Sequence, residues 1–121
     1  MQSIEAELAA PVATLFLRAL ELEAARAGFA LQFHFREPGG SHVREHSRKD
    51  EILTIRSAEV SGHGTRVLVE SETLDIGPLV ERSARRAAAD LIAALLPALA
   101  PALGEDTRAR LQREIDTLLG N

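Results

Sequence analysis

One stretch of the sequence, residues 78–96, constrains the fold most because it reads as a single long amphipathic helix. Successive residues of a helix are about 100° apart, so apolar and basic side chains separate onto opposite sides, with Arg82 and Arg86 on the polar one. Pro78 suits the first helical position, and Pro97 disfavours helix at the residue before it, so the helix should stop or bend there. The predicted apolar face, which must be buried against another layer, consists of Val80, Ala84, Ala87, Leu91 and Leu95.

The composition is that of an ordinary globular domain. The 121 residues are 45% hydrophobic and 26% charged, and a chain of this length is typically a single domain with one core. We therefore interpret residues 1–121 as one domain. Because the aromatic residues are four Phe with no Trp or Tyr, the interior must consist mainly of Leu, Val, Ile and Ala. Such an interior favours closely packed helices over an aromatic-lined pocket.

Charge and cysteine content exclude several classes of function. A formal net charge of −4 gives no general attraction to nucleic acid or anionic membranes, so such a partner would need a local basic patch. Without any Cys there is no disulfide, thiolate zinc site or thiol catalysis. Glu5 and Glu7 stand where a secretion signal needs positive charge, and Asp90 and two prolines interrupt the longest apolar run. We therefore predict a cytoplasmic protein with no membrane partner.

The first part of the chain predicts helices. Residues 3–10 favour a short helix that Ser3 caps. A longer helix follows over residues 11–27, with Pro11 at its first position and Gly28 just past its end. Whether Pro11 begins this helix or kinks one longer helix stays open. We expect the solvent side of the longer helix to carry Glu21, Glu23 and Arg26.

The hydrophobic period then changes from helical to alternating. Over residues 29–37, apolar and polar side chains alternate, which predicts a strand with one buried face. Residues 37–51 are polar and begin with a Pro-Gly-Gly turn signal, so they predict a loop or two flared strand ends. Residues 51–60 and 65–74 predict two further strands joined by a glycine-containing connection. The buried face of the first strand would consist of Phe29, Leu31, Phe33 and Phe35.

These elements predict an α+β fold in two layers. Strands joined by links this short pair as an antiparallel meander, and a small sheet with one apolar face is stable only when that face is covered. We therefore expect a three-stranded antiparallel sheet covered on one face by helices, in the order α-β-β-β-α-α. The other face of the sheet would carry mainly polar side chains.

The end of the chain predicts a separate amphipathic helix. A short apolar connector, residues 97–104, precedes helical periodicity over residues 107–120, within the terminal segment 105–121. The apolar stripe of this helix is narrow and must be buried, either on its own domain or on a partner. The stripe is the predicted partner-helix face and consists of Leu111, Ile115, Leu118 and Leu119.

No catalytic, metal or cofactor site is predicted. His42 and His46 have the i, i+4 spacing of a helical two-histidine metal site, but no glutamate follows the first histidine and no third ligand is indicated. Ser41, with His42 or His46 and Asp50, supplies the residue types of a nucleophilic triad without the strained turn that exposes such a nucleophile. We therefore expect no catalytic residues, no bound metal and no cofactor.

Basic residues concentrate at two places. Three arginines lie near the start of the helix over residues 78–96, where the positive helix end would help them to seat a phosphate or carboxylate. The others lie within residues 36–51 among acids, so that segment is close to neutral unless its histidines are protonated. The alternative to anion binding by the three helix arginines is that they form a solvated surface, neutralised by Glu81, Asp90 and other acids. The predicted anion-binding patch consists of Arg82, Arg85, Arg86, Arg36, His42, Arg44, Arg48 and Lys49.

Two short motifs at these places resemble double-stranded-RNA-binding domains. They are Gly39-Gly40-Ser41-His42, after the first strand, and residues 83–89, at the start of the closing helix. In that family the corresponding loop and helix start contact phosphates and the minor groove, so the resemblance implies RNA contact there. It covers residues 11–96 by the order of elements. The chain departs from the family pattern in lacking the loop proline, in having Ala84 at a usual basic position and in its extra final helix.

Three functions follow from these features. The first is a small non-enzymatic protein-interaction module that works as a homo-oligomer through its terminal helix or a free sheet edge. The second is an RNA- or polyanion-binding domain that uses the predicted anion-binding patch. The third is a metal-dependent enzyme, which is the weakest hypothesis because no constellation of residues supports it.

Overall fold

The computed structural model describes residues 1–60 and 62–120, which form a five-stranded antiparallel sheet and three helices. The strands are β1 (Gln2–Ala9), β2 (Ala30–Arg36), β3 (His42–Arg48), β4 (Glu51–Glu59) and β5 (Gly64–Ser71). The helices are α1 (Ala10–Arg26), α2 (Gly77–Leu99) and α3 (Glu105–Leu118), with a 3-10 turn at Ala100–Ala102. The predicted α+β class and antiparallel sheet are confirmed. The predicted three-stranded sheet and the order α-β-β-β-α-α are wrong.

The strand order across the sheet is β1-β5-β4-β3-β2. Strands β2 to β5 form a meander, and β1 pairs with β5, so that Ser3 lies opposite Glu70. The two edges of the sheet are therefore β1 and β2. Because α1 connects these two strands, it crosses the sheet from one edge to the other.

Residues 3–10 form most of β1 and only the first residue of α1, so the predicted short helix is wrong. Ile4, Ala6 and Leu8 alternate with Glu5 and Glu7, which is the period of a strand. Every residue of β1 has a partner on β5. A helix of this length is marginal by itself, so pairing along the whole strand prevails over the local cap signal. The long helix begins at Ala10, with Pro11 in its first turn and no kink there.

The polar segment at residues 37–51 contains β3, so the predicted loop is wrong over His42–Arg48. This strand lies between β2 and β4 and is hydrogen-bonded on both sides. Val43 and His46 are buried, whereas Arg44 reaches the carboxylate of Glu21 on α1, 23 positions away in sequence. Charged side chains with distant partners obscured the alternation on which a strand prediction depends.

Helices α1 and α2 lie over one face of the sheet, which we call the helix face. Leu53, Ile55, Val67 and Val69 project from this face, and the helix α3 packs against α2. The opposite face, which we call the open face, carries alternate residues such as Ile52, half of whose surface remains exposed. The buried core consists of Ala13, Leu20, Ala24, Phe29, Leu53, Ile55, Val67, Val69, Ile76 and Leu79.

Strand β2 does not bury the apolar face that its alternation predicts. Phe29, just before the strand, is 7% exposed, but Leu31, Phe33 and Phe35 are 53%, 60% and 46% exposed. The strand lies at the edge of the sheet, beyond the cover that the helices provide. A register shift between Leu31 and Phe33 also moves the two Phe side chains to the open face.

The helix α2 continues through Pro97 to Leu99, so the predicted connector is partly helical. Proline has no N–H to donate to the carbonyl four residues earlier, so α2 passes this position without one backbone hydrogen bond and ends two residues later. The predicted apolar face is only partly buried, because Ala87 is 7% exposed but Ala84 is exposed and Leu91 and Leu95 are 37% and 47% exposed. The residues that α2 buries are Leu79, Ser83, Ala87 and Ala89, so the buried face is rotated from the predicted one.

Candidate interaction surfaces and the arginine pocket

The β2 edge, defined as the free edge formed by Ala30–Arg36, exposes three large apolar side chains, Leu31, Phe33 and Phe35. All seven residues of the strand are exposed. Its pairing with β3 fixes which side chains share a face: Phe33 lies opposite Glu45 and Phe35 opposite Val43, on the open face. His34 and Arg36 project from the helix face of the same strand. Two aromatic side chains therefore lie side by side on one face of an edge strand whose outer side has no neighbouring strand in the described sheet.

The β2 edge is held in place by its hairpin with β3. The turn is closed by hydrogen bonds from Glu37 N to Ser41 O at 2.8 Å and from Gly40 N to Glu37 O at 3.1 Å. Gly39 and Gly40 have φ of 97° and 91°, a conformation that favours glycine. On the open face, Arg56 donates to Glu37 Oε1 at 2.5 Å and to Glu70 Oε1 at 3.1 Å. These hydrogen bonds raise the pKa of the Arg56 guanidinium and join the turn to β4 and β5.

The β1 edge differs from the β2 edge in charge. Glu5 and Glu7 project from the middle of β1, and Glu5 pairs with Arg66 at 3.1 Å. Charged side chains on an edge strand oppose pairing with another strand. The apolar residue Ile4 is 38% exposed but lies between polar neighbours. One edge of the sheet is therefore protected by acids, while the other presents phenylalanines.

The residues of the predicted anion-binding patch do not form one surface. Arg82, Arg85 and Arg86 line one pocket, while Arg36 and His42 lie together beside the β2–β3 turn. The other three basic residues are engaged or separate. Arg44 pairs with Glu21, Arg48 donates to Glu51 Oε1 and to the carbonyl of Ala27, and Lys49 is exposed in a turn with φ of 52°.

The arginine pocket, which we define by Glu23, Arg26, Arg82, Arg85 and Arg86, lies between α1, α2 and the end of α3. Its cavity has a volume of about 420 Å³. Glu23 Oε1 accepts a hydrogen bond from Arg86 Nε at 3.0 Å and lies 3.7 Å from Arg26 Nη1. Glu23 Oε2 lies 3.5 Å from Arg82 Nε. Arg85 donates to Glu81 Oε1 at 2.6 Å.

Glu23 is the central residue of this pocket, although the sequence predicts it on the solvent side of α1. The residue is 8% exposed. Its burial has a local signal, since Glu23 follows Phe16 and Ala19 by seven and four positions and so shares their face of the helix. Burial of a carboxylate requires cationic partners, and residues 82 and 86 on α2 supply them. The pocket therefore joins two helices through one shared carboxylate.

The four histidines do not converge on a metal. His42 and His46 lie on β3, where four positions span about 13 Å, not on one turn of a helix. Within residues 1–60 and 62–120, no group of three or more His, Asp or Glu residues could hold a metal ion. His46 is buried, and its Nε2 has no hydrogen-bond partner. This desolvation lowers the pKa of His46, against the opposing influence of Glu21 and with a further lowering from Arg44.

The predicted partner-helix face is used, at least in part, for packing within the chain. Ile115 is 7% exposed because α3 packs against α2, while Leu111 and Leu118 are partly buried and Leu119 is 40% exposed. Leu118 and Leu119 also line the arginine pocket. The terminal helix therefore contributes apolar side chains to one wall of that pocket.

Comparison with protein-family models, curated proteins and solved structures found no match for this chain. In the part of the chain that the structure describes, no helix has the length and apolar character that crossing a membrane requires.

Proposed function

We propose that this protein is a non-enzymatic interaction module that self-associates, with the β2 edge as its contact surface. The observation that supports the proposal is the exposure of Leu31, Phe33 and Phe35 on a strand whose outer backbone edge has no neighbour in the sheet. Large apolar patches on a soluble protein commonly mark contact sites. Unpaired strand edges are templates for another strand.

The contrast between the two sheet edges supports a specific contact at β2. In a protein that stays monomeric, both edge strands of the sheet would be expected to carry charged side chains that oppose pairing with a strand of another molecule. Glu5 and Glu7 protect β1. On the open face of β2 the corresponding positions are Phe33 and Phe35, which would lose most of their water contact in an interface.

A second copy of the chain is the partner that the β2 edge fits best. A two-fold axis at His34 would set two β2 strands antiparallel, with Phe33 of each opposite Phe35 of the other. Gln32 would then lie opposite Arg36, so no pair of fixed like charges would meet. The four phenylalanines would form one cluster on the open face, beyond the register shift at residues 31–33.

Cysteine cross-linking tests this arrangement directly, because the natural chain has no Cys. In His34→Cys, each sulfur would lie next to its own symmetry copy, and directly opposed antiparallel residues have Cα atoms about 4.5–5.5 Å apart, within disulfide range. We expect mild oxidation to give a covalent dimer at micromolar concentration. Ile4→Cys on the β1 edge is the matched control and should stay monomeric on denaturing gels.

Sedimentation of surface variants separates this contact from others. We expect the unmodified chain to be dimeric and Phe33→Ser with Phe35→Ser to be monomeric with an unchanged circular dichroism spectrum, since about half of each side chain is exposed. The unfolding midpoint of this variant should fall, because the stabilisation that association gives is lost. Leu95→Ser, on the exposed part of α2, should remain dimeric. A monomeric parent chain overturns the proposal, and a dimer that only Leu95→Ser dissociates places the interface on α2 instead.

A further inference from the structure

The arginine pocket has more positive charge than its own residues neutralise. Its four arginines face one buried carboxylate, Glu23, and Arg85 has a second acid, Glu81, as its partner. Counted over the residues that the structure describes, the pocket therefore has an excess of two positive charges. The whole chain has a formal net charge of −4, so this excess is a local feature and not a reflection of composition.

The geometry of the ion pairs leaves the outer part of two guanidinium groups available. Arg82 and Arg86 both approach Glu23 through Nε. In the described part of the chain, no acceptor is hydrogen-bonded to the Nη atoms of either residue. The paired N–H groups of a guanidinium match two oxygens of a phosphate or carboxylate. Glu23 thus orients the two arginines without occupying their full donor capacity.

The walls of the pocket indicate the size and character of the ligand. A cavity of about 420 Å³ lies in the range that holds small organic molecules. Leu118 and Leu119 form an apolar wall opposite the arginines. The carbonyl of Ala27, at the negative end of α1, accepts a hydrogen bond from Arg48 Nη1 at 2.6 Å, which reduces its repulsion of an anion.

We propose that the arginine pocket binds the phosphate group of a small phosphate monoester, with Arg82, Arg85 and Arg86 as its donors. The dianionic phosphate matches the excess of two positive charges, and the leucine wall contacts an apolar substituent on the ester oxygen. This site is separate from the β2 edge, so its ligand does not depend on self-association.

Titration with phenyl phosphate and inorganic phosphate at constant ionic strength tests the site. We expect saturable binding of both by calorimetry, with phenyl phosphate tighter because its ring contacts the leucine wall. In Arg82→Gln with Arg85→Gln, the dissociation constant should rise at least about tenfold, since each lost charge-assisted hydrogen bond to phosphate weakens binding. Arg86 is kept in this variant because it is the hydrogen-bonded partner of the buried Glu23.

A charge-matched control and one further variant make the result decisive. Arg110→Gln with Arg113→Gln removes the same charge from exposed positions of α3 and should leave binding unchanged. Glu23→Gln removes the competing carboxylate and should tighten phosphate binding, provided that circular dichroism shows an intact fold. The proposal is overturned if the parent chain does not bind either probe saturably, or if the α3 control weakens binding as much as the pocket variant.

Discussion

His46 is an imidazole enclosed in the helix face of β3, where it is 4% exposed and lies opposite Leu53. Its Nε2 has no hydrogen-bond partner, so protonation in the folded state would place an additional charge in an apolar site. Glu21 and Arg44, its charged neighbours, form an ion pair with each other. The local charges therefore offer little compensation for a protonated ring.

This burial predicts a loss of stability in mild acid. The pKa of His46 is lowered below its ordinary value of 6.5, so below pH 6.5 the unfolded chain binds a proton that the folded chain resists. Stability that is present above pH 6.5 should fall as the pH falls through the folded-state pKa. Urea unfolding between pH 7.5 and 5 should show a smaller decrease for His46→Leu than for the parent chain. An equal decrease in the two chains would contradict this prediction.

At the level of single residues, the sequence indicates little of this environment. Alternation cannot show that His46 is buried, and although Glu23 shares a face of α1 with buried residues, nothing near it in sequence identifies the arginines that neutralise its carboxylate. Glu23 lies 63 positions from Arg86. Likewise, Phe33 and Phe35 have the composition of a core and are nevertheless exposed. Hydrophobicity indicates that a side chain favours burial. Whether it is buried depends on the position of its strand in the sheet and on which residues pack over that strand.

The three helices α1, α2 and α3 and three of the strands were predictable as elements because their signals are local. The predicted strands over 29–37, 51–60 and 65–74 correspond to β2, β4 and β5, and the predicted helices over 11–27, 78–96 and 107–120 correspond to α1, α2 and α3, with bounds that differ by only a few residues. β1 and β3 were missed for different reasons. In β1 an apparent helix cap competed with pairing to β5, and in β3 the helix face carries charged and imidazole side chains.

The packing of α3 against α2 predicts how substitutions in α3 change the stability of the protein. Ile115 is 7% exposed, whereas Leu119, on the same helix, is 40% exposed. Ile115→Ala should destabilise the protein by roughly 2–4 kcal/mol, while Leu119→Ala should change the free energy of unfolding by about 1 kcal/mol or less. Chemical unfolding at two protein concentrations provides the measurement. An effect of Ile115→Ala that depends on concentration would indicate that α3 packs on another copy.

At the scale of the whole molecule, the helices cover only part of the five-stranded sheet, and this decides which strands are buried and which are exposed. The helices cover the strands near β5, while β2 lies beyond them. Two proposed binding surfaces result from this arrangement and occupy different layers. The β2 edge belongs to the sheet, and the arginine pocket belongs to the helices. Binding at one should therefore leave the other accessible.

The pairing of β1 with β5 also has a consequence for folding kinetics. Ser3 meets Glu70, so this ladder closes a long loop, whereas the hairpins of the meander close short ones. Long-range pairing is entropically costly before other contacts form. Leu8→Ala should therefore mainly accelerate unfolding, while Val67→Ala, in the meander, should also slow refolding. Stopped-flow refolding distinguishes these outcomes, and equal slowing by both variants would contradict this order. During synthesis, β1 must wait for β5 to emerge before its backbone finds a partner, and until β1 pairs with it, β5 is a second free edge of the sheet.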